Sequence, residues 1–155
     1  VRISDDLWAE YVRTVVEVFP LDGSPFRLIP AAVGDVGPWP PAIAAPVHFL
    51  TAWDPGDERP GEDENRRRQS VLEGELKARG LTAWPTVGRD RESPHTEEGV
   101  AVVGMDEDDA RALALHYRQN AIFSWTPTAW STVSCVDDAR HHAGWRLEPL
   151  DTLRT

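Results

Sequence analysis

Six polar residues stand out by type and by company: Glu64, Asn65 and Arg68 in ENRRRQ, Glu97 in TEEGV, and Gln119 with Asn120 in RQNAIF. Guanidinium, amide and carboxylate groups together are what a protein uses to hold a small anion. Arg grips it bidentately, amides orient it, and a Glu moves a proton. Asn65 and Arg68 would act from the first turns of a helix, whose N-terminus itself favours negative charge. Glu97 is the candidate acid or base, and Gln119 the orienting group. The same residues also have a purely structural reading. Glu64 and Arg68 make an i,i+4 pair worth about 0.3–0.5 kcal/mol, and Asn65 and Asn120 can satisfy backbone groups in turns.

Other constellations carry less. Cys135, Asp137, Asp138, His141 and His142 imitate a metal set, with Asp138 and His142 at helical spacing. Two adjacent histidines cannot both face one ion on a regular helix, and no second Cys joins them. A solvated helix face is expected there, with no metal and no cofactor. A Cys135–His141 nucleophile pair lacks any visible oxyanion site. No P-loop, G-x-G-x-x-G, H-E-x-x-H or G-x-S-x-G occurs, so no catalytic residue is assigned.

The balance of the 155 residues narrows the partners. A formal net charge of −10 argues against DNA and against anionic membranes. One cysteine excludes an internal disulfide and fits a reducing compartment. No run is apolar and long enough to span a bilayer, and VRISDDLW lacks the features of a signal peptide. The cytoplasm is the expected location.

The elements that must position the six residues follow from periodicity. Gly61–Arg79 reads as a helix with an N-cap glycine, acidic first turn and a narrow stripe of Val71, Leu72 and Leu76. Residues 62–70 hold no apolar side chain and are expected to project past the sheet. Val47–Trp53, Leu81–Val87, Gly99–Met105 and Ala121–Trp125 read as strands, the last resuming at Trp130–Cys135, with a second helix over Asp106–Asn120. Ser4–Phe19 reads as an amphipathic helix on Leu7, Trp8, Tyr11, Val12, Val15, Val16 and Phe19, although its valines also favour strands. Pro30 confines a strand over Phe26–Ala32 to an edge, and Pro85 marks an edge or bulge. The Pro/Gly-rich loop 34–46 packs on the body through Trp39 and Ile43. Trp145–Leu147 adds a short last strand, and the tail from Pro149 is frayed.

The order β-α-β-β-α-β predicts an α+β fold: a two-layer ferredoxin-like core over residues 47–126, with a mainly antiparallel sheet and both helices on one face. An N-terminal helix and edge strand (1–46) and a C-terminal extension (127–155) complete a single domain. Where the first strand finishes, five separate stretches meet. They bring Thr51–Asp54, Glu64, Asn65, Arg68, Glu97, Glu98, Gln119 and Asn120 together with Arg59, Arg66, Arg67, Arg89, Arg91 and Arg118. The expected function is binding of a small anionic ligand, nucleotide-like or phosphorylated, at that end. The alternative is an interaction or regulatory module without a small ligand. Its sheet face would present Trp53, Trp84, Trp125, Trp130 and Trp145 to a protein partner or a second copy.

FLTAWDP, ENRRRQ, WPTVGRD, EEGVAVVG and RQNAIF, in that order, resemble a bacterial family known as domain of unknown function 3293. The pattern of that family runs T-A-x-N-P, E-N-x-x-R-N, G-x-G/x-x-G, E-x-S-F-x-V and G-Q-N-A-I-F. The resemblance covers roughly half of the chain, Phe49 to Phe123. This sequence departs from it at Asp54 for Asn, Gln69 for Asn, Gly99-Val100 for Ser-Phe and Arg118 for Gly. The resemblance implies a shared domain and brings no substrate with it.

Overall fold

A computed structural model describes residues 2–56 and 58–150. Its N-terminal segment changes character at Thr14. Helix α1 (Asp5–Val12) starts at Ser4, whose side chain accepts from Leu7 N, and ends at Arg13. Strand β1 (Val15–Val18) follows. The expected single helix to Phe19 is therefore two elements. Thr14, Val15, Val16 and Val18 are β-branched and stiff at χ1, so they weaken a helix and suit a pleated surface. The stripe at helical spacing was also a stripe at strand spacing.

Strands β2 (Phe26–Ala31) and β3 (Val47–Leu50) precede helix α2 (Glu62–Ala78). Strands β4 (Thr82–Arg89) and β5 (Thr96–Val103) lead to helix α3 (Glu107–His116), and β6 (Ala121–Thr126), β7 (Ala129–Ser134) and β8 (Arg140–Pro149) finish the chain. Among the described residues these strands form a closed antiparallel barrel in the order β1-β2-β8-β7-β6-β3-β5-β4. The two-layer ferredoxin-like α+β expectation is overturned. An open sheet of β6, β3, β5 and β4 would leave edges at β6 and β4. Here β7 pairs with β6, β1 pairs with β4, and β2 and β8 complete the ring. Closure removes the unpaired backbone groups that an open sheet would leave at both edges.

Closure also corrects the readings at the prolines. Pro30 lies opposite Trp145, but Trp145 sends its N–H to Asp35 O and takes Gly37 N–H on its carbonyl. Pro30 thus occupies a pair that needs no amide donor toward β8, and β1 stops at Leu28 on the other side. Pro85 sits opposite Val100, just past the register of β1, and accepts from Phe19 N. Both prolines are interior to the ring at points where a neighbour strand has ended. Gly144 permits loop 32–36 to lie against β8, since a Cβ there would come within 2.2 Å of Ala32 O. The C-terminal strand, expected to be three residues, runs for ten, and Phe26 pairs with Pro149. The tail expected to fray from Pro149 is held at its start, where Pro149 pairs with Phe26 and Leu150 N donates to Pro25 O, and the rest of it lies outside the described residues. Asp138 lies in the bend before β8 and His141 and His142 lie within β8, so Asp138–His142 is not a helix face.

Alternation along each strand makes two cores. Inward side chains include Val16, Val18, Phe26, Leu28, Val47, Phe49, Ala101, Trp125, Trp130 and Trp145. Outward Leu50, Val100, Val102, Ile122 and Val133 pack under Leu72 and Leu76 of α2 and Ala110, Leu113 and Ala114 of α3. Trp53, Trp125, Trp130 and Trp145 are buried, and Trp84 packs partly buried against the interior. Of the tryptophans expected on an exposed sheet face, Trp84, Trp125, Trp130 and Trp145 belong to the inner cluster of the barrel, because ring closure turns that face inward, and Trp53 is buried in the loop after β3. No helix is long and apolar enough to cross a membrane among the described residues.

Candidate functional site

An eight-stranded barrel has an interior just wide enough to be filled by side chains or to hold one small ligand. This barrel does one at each end. At the end where β3 finishes, a cavity of about 150 Å³ opens between α1, the β4–β5 hairpin and the α3–β6 turn. Val16, Phe49 and Phe123 supply apolar walls, and Thr86, Gly99 and Ala121 keep the interior hollow. A Cβ on Gly99 would come 2.8 Å from Leu50 O and 2.9 Å from Thr86 Oγ1. That crowding accounts for glycine at a position where the resembling pattern has Ser.

The rim is polar. Glu10 and Tyr11 hang from α1, Asp54 from the β3–α2 loop, and His95 and Glu97 from the start of β5. Alternation puts Glu97 on the inner face with Gly99 and Ala101, and His95 Nε2 meets Glu97 Oε1 at 3.1 Å. That hydrogen bond, with the charges of Glu97, Glu10 and Asp54, raises the His95 pKa above its usual value. Burial, with Glu97 next in weight, pushes the Tyr11 hydroxyl up to about 12 against the side chain of Asn120. The Tyr11 hydroxyl therefore stays protonated at neutral pH.

The loop carrying Asp54 is held almost entirely by side chains. Ala52 N donates to Gln69 Oε1, Trp53 N to Thr51 Oγ1, and Asp54 N to Asn65 Oδ1. Asn65 Nδ2 donates to Asp54 Oδ1, and Gln119 Nε2 to Trp53 O. Asn65 and Gln69 are buried on α2, in one stripe with Leu72 and Leu76. The first half of α2 therefore does not project past the sheet. Its buried face is made of amides because the surface it covers is a loop backbone with donors and acceptors to satisfy. Asp54 is left-handed at φ 45, and Arg118 at φ 59. Asp and Asn tolerate that region best after Gly. Two departures from the resembling pattern, Asp54 for Asn and Arg118 for Gly, fall on these two residues.

Of the six residues singled out by the sequence, Glu97, Gln119 and Asn120 line the cavity. Asn65 lies behind it as a clamp on Asp54. Glu64 and Arg68 do not line it. Arg68 Nε donates to Glu64 Oε1 at 3.2 Å and approaches Glu58 at 3.8 Å, without contact to Glu97. Arg67 makes a two-pronged contact with Glu64 and holds that carboxyl down to about 2. Among the described residues, every arginine of the expected basic patch except Arg91 has a carboxylate within 4 Å. Arg118 donates to Glu58, Arg89 to Glu17 on the outer face, and Arg66 to Glu98 and Glu62. Arg59 approaches Asp54 at 3.8 Å.

His95, Tyr11 and Glu10 were missed by sequence reasoning. His95-x-Glu97 at the head of a strand has the period of two that puts both side chains on one face, and that signal was legible. Tyr11 and Glu10 had none, since their place at the mouth follows from β1 pairing with β4. Behind Asn120, burial pushes the Cys135 thiol up to about 11, the opposite of an activated nucleophile.

No curated protein and no solved structure matches the chain. The residues that clamp the Asp54 loop and most of those that line the cavity lie inside one matched segment. Residues 50–122 match the model of the family described as a protein of unknown function (DUF3293), which supports assigning the chain to that family.

Proposed function

We propose that the barrel binds one small molecule at its open end, with an apolar body against Phe49 and Phe123 and a polar, hydrogen-bond-donating or cationic head at the rim. The observation that carries this is the cavity itself. It has apolar walls, and the acidic residues Glu10, Asp54 and Glu97 line it against Arg59 and Arg118, while Glu98, Asp90 and Arg89 at the rim are bound to Arg66, Arg13 and Glu17. Convergent polar groups over an apolar hollow are the usual make-up of a ligand site. Those guanidinium groups favour a second reading, an anionic ligand at the outer rim. Such a ligand would have to displace Glu58 from Arg118, which it can reach because that side chain is 55 % exposed.

Thermal shift against a panel of aromatic amines and of phosphorylated compounds separates the two. A ligand at about 100 times its Kd adds ~2.7 kcal/mol. The first reading expects stabilisation by amines that Glu97→Gln weakens and Arg118→Ala leaves intact. Stabilisation by phosphorylated compounds, abolished in Arg118→Ala, would install the second. No shift with any member of the panel would remove both. We also place the protein in the cytosol, a reading supported by a single, buried cysteine. Fractionation that finds the natural protein outside the cytosol would overturn it.

A further inference from the structure

Asp54, His95 and Glu97 each offer one ligand atom, and these atoms lie within 4.8 Å of one another. The separation of His95 Nε2 from Glu97 Oε1, 3.1 Å, suits two neighbouring ligands each about 2.0–2.2 Å from one ion. The third ligand comes from a distant segment with its own support. The Asp54 carboxylate is 9 % exposed. Its Oδ1 is taken by Asn65 Nδ2, while Oδ2 accepts no hydrogen bond among the described residues. The nearest cation to Oδ2 is the 65 % exposed Arg59, at 3.8 Å. That oxygen is the free edge of an otherwise covered carboxylate, and a cation at the mouth would meet it.

We propose that Asp54, His95 and Glu97 bind one divalent transition-metal ion at the barrel mouth. This rests on reading the cavity as a ligand site. An imidazole with two carboxylates suits zinc, manganese or ferrous iron better than calcium or magnesium, which take oxygen ligands alone. All three side chains line the cavity, so the ion would keep positions open toward a bound molecule, as catalytic metal sites do. Asn65 is the positioning residue. Its two bonds to Asp54 set the carboxylate as an outer partner sets a metal ligand.

The test is calorimetric titration of the metal-stripped full chain with Zn²⁺ and Mn²⁺, with Mn²⁺ broadening of the His95 imidazole signals as the local readout. One equivalent should saturate. His95→Ala and Asp54→Asn should each weaken binding by about 10–100-fold or more. Asp54→Asn keeps the contact with Asn65, and an unchanged melting curve shows that it folds. No saturable binding, or binding unchanged in both variants, would overturn the proposal. The amine panel repeated in a chelator separates this from the cavity reading. Amine stabilisation without metal binding sinks the metal centre alone, whereas loss of both sinks the cavity as well.

Discussion

The two ends of the barrel are built from the same strands and treated in opposite ways. At the end away from α1, Trp39 from the Pro/Gly-rich loop lies tilted against Trp125 with ring centroids 4.2 Å apart, Trp145 meets Trp125 edge-on at 5.3 Å, and Phe26 closes on Trp125 at 5.8 Å. Trp145 Nε1 donates to Thr126 O and Trp39 Nε1 to Ile43 O. That end is a packed core. At the other end small residues replace the rings, the walls stay apart, and carboxylates, an imidazole and a phenol surround a hollow. The covering element there, α1, buries none of its own residues. It is held from outside by Arg13, whose guanidinium grips both oxygens of Asp90 at 2.7 and 3.0 Å. One end holds the fold together, and the other gives up packing for space and chemistry.

Truncation at the plugged end should have the largest effect. Trp145→Ala removes a fully buried indole and should cost about 3–5 kcal/mol. Urea unfolding would show it, and a loss comparable to that of Leu7→Ala, a half-buried residue of α1, would break the comparison. Next comes the clamp behind the mouth. Asn65→Ala strips Asp54 of two hydrogen bonds and leaves its part-buried amide donor unmet, for about 1–3 kcal/mol. It should also disturb the mouth while leaving the aromatic end intact, as near-ultraviolet circular dichroism of the Trp cluster would report.

A smaller and more local change is expected at α1. Arg13→Ala should raise hydrogen exchange over residues 5–12 without changing exchange in β6 to β8. Exchange that rises equally everywhere would mean that α1 is part of the global core and no separate cover. The smallest effect is in two histidines. Burial lowers the pKa of His48, whose Nδ1 lies 2.9 Å from Met105 O, while Glu97 raises that of His95. The signs follow by linkage. His95 contributes stability that is full below its unfolded value near 6.5 and is lost as pH rises through its higher folded value. His48 does the reverse, and its contribution falls away as pH drops below the same unfolded value. Proton resonance titration of the two imidazoles should find His95 the more basic, and the opposite order would sink the account of the mouth.

Much of the local structure was legible because it depends on neighbours in sequence. Gly61 and Asp106 start α2 and α3 as expected, with Asp106 accepting from Asp109 N. The convergence of Glu97, Gln119 and Asn120 was also legible, since the β3-α2-β4-β5-α3-β6 run brings their segments to one end. Arg68 was misjudged because a guanidinium is satisfied by whichever carboxylates are nearest, and Glu64 one turn away was near enough. The stripe of Asn65, Gln69, Leu72 and Leu76 was hidden by its own chemistry. Burial of amides looks like exposure until the loop they hold is known.

By itself the sequence determined where helices begin, which strands alternate, and that the polar groups of three distant segments share one end. Whether the sheet stayed open or closed was decided elsewhere. It depended on β1 meeting β4 and on Phe26 meeting Pro149, pairings between segments whose periodicity is the same in an open sheet or a ring. Strand pattern specifies which face is apolar and not which edge it will join. Only closure turned the tryptophan face into a plug at one end and left a cavity at the other.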